Sequence, residues 1–340
     1  MHPNRAAVEE DRVPALPKTA EPFLDRIGCF FRLWLTKIAA TLLFKYLRFS
    51  QPLPPSTKPT LVKYYSSRPK LQARIYYPDN YESGKLLPLF FNVHSGGFAL
   101  LDPESDDEWC SMWAKRMGML VVSLDYSKAP LNPFPVPVYD VAALAKDVLD
   151  DINLPIDKTR VAIGGFSSGA NLALTAAQLP ELKGTVKAAL SFMPPVDFGH
   201  DPAEKLRRRP YKTGPKESLE ASSWAFDWGY VPAGQNRHDP LLSPYWAKRE
   251  DLPPWICIVG AEWDMLRFEA QVMMCELADL EAVQEESFEE GRYKWVLARR
   301  CSHMFTHHWG KSGERKRIRE ERAEPIYEET ARWLAKALES

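Results

Sequence analysis

Arg160-Val161-Ala162-Ile163-Gly164, followed at once by Gly165-Phe166-Ser167-Ser168-Gly169 and then by Ala170-Asn171-Leu172-Ala173-Leu174, is the stretch on which the fold turns. A short apolar run reads as a buried strand, the small-residue run as a helix, and G-x-S-x-G joins them. The glycines are needed because the turn is sharp and side chains beside the serine would collide with strand or helix. Such an elbow lifts the Ser167 hydroxyl above the sheet edge, with the following helix N-terminus beneath it. By itself the motif is no more than a tight strand-to-helix turn. In the order strand, elbow, helix it makes Ser167 a candidate nucleophile.

Three other segments supply what a serine nucleophile needs. Strand Leu86–Val93 runs into His94-Ser95-Gly96-Gly97-Phe98, where adjacent glycines let peptide N–H groups turn towards a developing oxyanion. Gly96, Gly97 and the N–H of Ser168 are the candidate donors. His94 sits on the wrong element for a base and is expected to brace the loop. In sheets of this class the order along the chain is Ser, then Asp or Glu, then His. Strand Trp255–Val259 ends in Gly260-Ala261-Glu262-Trp263-Asp264, which offers Asp264 with Glu262 as rival. Strand Tyr293–Ala298 leads into Cys301-Ser302-His303-Met304-Phe305, which offers His303 as the base. His307 and His308 are expected to line the adjacent surface, and His2, His200 and His238 carry little weight.

The remaining runs, Leu71–Tyr77, Leu120–Tyr126 and Val186–Phe192, are continuously apolar and alternate with helical patterns. That describes a mostly parallel sheet covered on both faces. The run from Gly313 to Glu324 mixes five basic with four acidic residues and is expected to be a solvated helix face. Residues 1–22 read as a loose tail. From 23 to 49, Leu24, Ile27, Phe31, Leu35, Ile38, Leu42 and Phe49 recur at helical spacing, with Arg26, Lys37 and Arg48 on the opposite side. Arg32, Lys37 and Lys45 interrupt any membrane span. Two roles stay open, a cap over the protein's own site or a segment lying on a membrane surface. The charges favour the cap.

Across the 340 residues, 44 Lys+Arg balance 45 Asp+Glu, so no basic field exists to attract nucleic acid. Five scattered cysteines without a CxxC pair suggest free thiols in a reducing, cytoplasmic compartment and no zinc site.

The order of these motifs resembles the hormone-sensitive-lipase-like branch of the α/β hydrolases from about residue 60 to the C-terminus. Asp125-Tyr126…Ala129-Pro130…Phe134-Pro135…Asp140 is similar to its D-Y-R-L-A-P-E-x-x-F-P segment. Ser243-Pro244, Gly260…Asp264-Met265-Leu266 and His303-Met304-Phe305 are similar to its S-P, G-x-x-D-x-L and H-G-F. The resemblance implies Ser167 as nucleophile, Asp264 as acid, His303 as base, and Gly96, Gly97 and Ser168 as oxyanion donors. It also implies an eight-stranded sheet over 51–340, with a helical cap built from 23–50 and an insertion after the sixth strand, about 199–237. Phe98, Trp224 and Trp228 are the expected substrate contacts. Ser191–Phe198 and Asp239–Pro244 look most like fungal members, several of which act on secondary metabolites.

Departures stand out as well. Ser95 replaces a glycine of the oxyanion loop, Phe166 the acidic residue before the nucleophile, and Ser168 an alanine, while Ser127 and Lys128 stand where the family has Arg and Leu. Loss of the carboxylate at 166 raises the question of what holds the histidine loop.

The expected function is hydrolysis of a small to medium apolar ester through an acyl-enzyme, without metal or cofactor. The expected partner is that ester, with membrane contact through 23–49 left open and no oligomeric state readable. Two alternatives remain: non-hydrolytic chemistry on the same scaffold (acyl transfer, lactonisation, elimination or cyclisation), and a non-catalytic receptor.

Overall fold

Apolar β-branched and aromatic runs with no solvent-facing alternation pack at the centre of one sheet. The computed structural model describes residues 23–284, 286–307 and 313–340. The expected tail at 1–22, with His2, and also His308 lie outside the described residues. The strands are β1 (Leu61–Tyr64), β2 (Gln72–Tyr76), β3 (Leu87–Val93), β4 (Leu120–Leu124), β5 (Ile156–Phe166), β6 (Val186–Phe192), β7 (Trp255–Trp263), β8 (Phe288–Glu290) and β9 (Tyr293–Ser302). Their spatial order is β1-β2-β4-β3-β5-β6-β7-β9-β8. Pairing is parallel from β4 through β3, β5, β6 and β7 to β9, and antiparallel at both flanks.

Nine strands are present among the described residues where eight were expected. The sequence runs missed β1 and β8, at opposite edges. Each has only three or four residues, half or more of them exposed, so neither shows a continuous apolar run. Central β4 is buried at every position, as a strand covered on both faces must be.

Helices α2 (Asp107–Met117) and α8 (Gly313–Glu339) cover one face through Trp109, Trp113, Tyr327 and Trp333. On the other face lie α3 (Val136–Asp150), α4 (Ser168–Ala176) and α7 (Arg267–Leu277). Between β6 and β7 the chain makes two short helices, α5 (Pro202–Arg208) and α6 (Ser223–Tyr230), above the carboxyl ends of the strands.

The N-terminal helix α1 (Phe23–Ser50) packs on α6. Leu33 is fully buried there, against the side-chain-free surface of Gly229, where a Cβ would come within 2.6 Å of the leucine methyl. The expectation that the apolar face of α1 is spent on the body does not hold. Leu35, Leu42 and Phe49 are 67%, 63% and 87% exposed, and the opposite side turns inward, with Lys37 and Arg48 beside Leu33, while Arg26 stays exposed. Lys37 Nζ donates to the Ala129 carbonyl at 2.7 Å, Arg48 donates to the Glu104 carbonyl, and Arg32 lies 4.3 Å over the Trp224 ring.

Candidate active site

Parallel strands bring their carboxyl ends to one edge, so loops distant in sequence converge there. Ser167 closes β5 at φ 51°, ψ −120°, a conformation costly for a non-glycine residue and kept only when the surroundings impose it. They do: the Ser167 N–H donates to the Phe192 carbonyl at 2.8 Å, and Gly169 lies so close to the Val93 carbonyl that no side chain fits.

Three side chains then form one hydrogen-bonded line. His303 Nε2 is 2.9 Å from Ser167 Oγ, and His303 Nδ1 is 2.8 Å from Asp264 Oδ2. Asp264 is fully buried, and its other oxygen accepts the Leu266 N–H at 2.9 Å. Rival Glu262 lies elsewhere, accepting the Arg300 N–H at 2.6 Å on the far side of the strand end. Burial opposes a charged imidazole at His303, but the Asp264 carboxylate outweighs it, helped by the charge of Glu217. Together they hold the histidine above its ordinary 6.5.

Over Ser167, Gly96 and Gly97 adopt φ of 132° and 58°, open to glycine alone in this packing, since a Cβ on Gly97 would stand 2.5 Å from the Phe226 ring. Among the described residues no acceptor takes the N–H of Gly97 or of Ser168. His94 braces this loop, with Nδ1 at 2.6 Å from the Ser95 carbonyl and its ring stacked on Tyr126 at 4.4 Å.

A narrow, largely apolar pocket opens above Ser167, lined by Gly97, Phe98, Phe198, Leu219, Phe226 and Met265 among others. Phe98 is on its wall as expected. Trp224 and Trp228 are not; α6 presents Phe226 inward, and its neighbours two residues either way point elsewhere, Trp224 beneath Arg32. His200, given little weight from sequence, stands on the pocket wall at 2.8 Å from Arg208 Nη1.

Some groups near the site carried no signal in the sequence. Glu217, from the insertion, accepts the Met265 N–H at 2.8 Å and the Tyr211 hydroxyl at 2.5 Å, tying the insertion to the residue after Asp264. His307 does not line a surface. It is buried, with Nε2 3.2 Å from Asp106 Oδ1 and its ring edge-on to Phe166. Burial opposes the Asp106 charge, but bonds from His307 and Asn92 hold its carboxyl below the usual range. Arg319, from the mixed-charge run, donates to the Met304 and His307 carbonyls. The histidine loop is therefore held by Asp106 and Arg319 where the family has an acidic residue at 166.

Comparison with known proteins fits this arrangement. A family profile described as alpha/beta hydrolase fold matches residues 90–337. An acetyl-hydrolase of Streptomyces hygroscopicus is 30% identical over 200 residues, 58% of this chain and 64% of that one. A versiconal hemiacetal acetate esterase of Dothistroma septosporum is 25% identical over 223 residues, 62% of this chain and 67% of that one. The matches span from about a third to two thirds of the length of such curated relatives. Among solved structures, the Pyrobaculum calidifontis esterase superposes with a TM-score of 0.69 at 24% identity, covering 90% of this chain and 94% of that one, a likeness of fold. With the profile spanning most of the chain and the winding of the sheet agreeing with it, the chain belongs to the alpha/beta hydrolase fold family, in its hormone-sensitive-lipase-like branch.

Proposed function

We propose that the protein is a carboxylic-ester hydrolase that works through an acyl-serine. The observation that carries this reading is the unbroken line Ser167–His303–Asp264 on the floor of an apolar pocket. Ser167 Oγ attacks the ester carbonyl while its proton passes to His303 Nε2. Asp264 keeps the imidazole in the tautomer that can accept it and stabilises the imidazolium. The carbonyl oxygen, now negative, takes hydrogen bonds from the oxyanion loop, where Gly96 and Gly97 supply N–H groups together with Ser168. His303 returns the proton to the leaving alkoxide, and water deprotonated by the same histidine releases the acid. A receptor on this scaffold would have no use for a histidine bonded to both partners.

The lining favours an apolar ester of small to medium size, with Phe98 and Phe226 as its flat walls. Two relatives are named for acetyl or acetate removal, which supports a short acyl group on a larger alcohol such as a secondary metabolite. The test is rapid-mixing kinetics with p-nitrophenyl acetate, plus mass analysis of the trapped adduct. A stoichiometric burst and acylated Ser167 are expected, and Ser167→Ala should fold but not turn over. Wild-type turnover in folded Ser167→Ala would sink the assignment. Ester products formed in preference to acid when an alcohol is added would move the reading to acyl transfer.

A further inference from the structure

α1 turns its most apolar side outward. It meets the body through Leu33, which is fully buried, and through Lys37, Arg48 and Arg32, while Leu24, Phe31, Leu35, Ile38, Leu42 and Phe49 form an exposed stripe. Burial and the repulsion of Lys128 pull the Lys37 ammonium down to about 8, so the inward orientation is held against a cost. Water gains nothing from this arrangement, whereas an apolar phase on the outer side does.

Three occupants could cover the stripe. The helix has the length and apolar composition of a segment that enters hydrocarbon, with almost none of it buried in the protein, which favours lipid over a second copy as the occupant. By length and composition the helix could cross a membrane. Its contacts, however, run along the body from Arg32 to Arg48, and a spanning helix would have to give them all up. A membrane surface needs neither sacrifice. Lys45, exposed at the margin of the stripe, can extend to the headgroups. Leu131, also exposed, follows Ala129-Pro130, which pack at the Gly229 seat of Leu33.

We propose that α1 lies in the plane of a lipid bilayer surface, apolar stripe inward to the acyl chains, and that esters dissolved in that lipid are the substrates. α6 makes the link: α1 packs on it while its Ser223, Phe226 and Asp227 line the pocket, so the pocket wall is held at the membrane. The substrate half rests on the ester-hydrolase reading; the docking half does not.

The test is flotation of the full chain with vesicles of phosphatidylcholine, with and without phosphatidylserine, alongside Ser167→Ala and the double variant Leu35→Glu/Leu42→Glu. Both substituted leucines are exposed, so the fold should survive. Wild type and Ser167→Ala should float equally, and the double variant should bind roughly tenfold less or weaker still. It should keep its rate on soluble p-nitrophenyl acetate and lose rate on a long-chain ester carried in the vesicles. Failure of wild type to float, or flotation that survives the double substitution, overturns the docking. So does a dimer that the substitutions dissolve, or bound protein that alkaline carbonate cannot release. Unchanged rates on the vesicle-borne ester overturn the substrate half alone. Flotation without hydrolysis of any ester would overturn the hydrolase reading and leave the docking standing.

Discussion

Asp264 and Glu262 sit two residues apart on one strand end, yet only Asp264 reaches His303. Asp264→Asn should therefore lower kcat by about four orders of magnitude through the wrong imidazole tautomer, while Glu262→Gln stays near wild type in steady-state assays. A larger loss for Glu262→Gln would mean that the acid is misassigned. On the proposed mechanism acylation requires neutral His303, whose proton is held above the ordinary 6.5 by Asp264 and, secondarily, Glu217. A raised value keeps the imidazole protonated to higher pH, so kcat/KM should climb with pH through an inflection above 6.5. Glu217→Gln removes a negative charge and should move that inflection to lower pH. An inflection that stays in place in the variant would leave Glu217 with only its bonds to Met265 and Tyr211.

At the scale of the element, the loop carrying His303 owes its position to partners far along the chain. Asp106 accepts from Asn92, Ser105 and His307 in a fully buried setting. Asp106→Ala strands those donors, each of which costs free energy when buried and unbonded, so stability should fall by roughly 3 kcal/mol or more. Urea unfolding measures it, and a change within error would remove the pair from any role in holding the loop. In the same variant kcat should fall more than KM rises, because the pocket walls do not depend on Asp106. The run from Gly313 to Glu324 illustrates a mixed outcome. Arg317 makes exposed pairs with Glu314 and Glu321, as a solvated face should, but Arg319 on the same helix turns in to the histidine loop.

For the whole molecule, α1 is a second layer behind α6, and no residue of it lines the pocket among the described residues. Deleting residues 1–50 should therefore leave the ratio of kcat/KM for acetate and decanoate esters in solution nearly unchanged, although it exposes the seat of Leu33. A collapse of the decanoate rate would show that α1 shapes the pocket after all. All five cysteines are free thiols, so reducing agent should not alter any of these outcomes.

Short contiguous stretches determined much of this by themselves. Strand, glycine elbow and small-residue helix specify one sharp turn around Ser167, because backbone sterics act over a few residues. The order of the glycine loop, Asp264 and His303 at strand ends was legible for the same reason: in a parallel sheet every strand end arrives at one edge. Edge strands β1 and β8 were not legible, since runs of three or four residues with half or more of them exposed resemble loops. Periodicity also defined the apolar stripe of α1 correctly, but a stripe does not say what it faces. That was decided by tertiary structure, which spent the opposite side on Ala129, Glu104 and the Leu33 seat. Tertiary structure likewise chose Phe226 over its tryptophan neighbours, brought Glu217 to the acid loop, and paired His307 with Asp106. Each of these depends on distances between segments far apart in the chain, and local sequence carries no record of them.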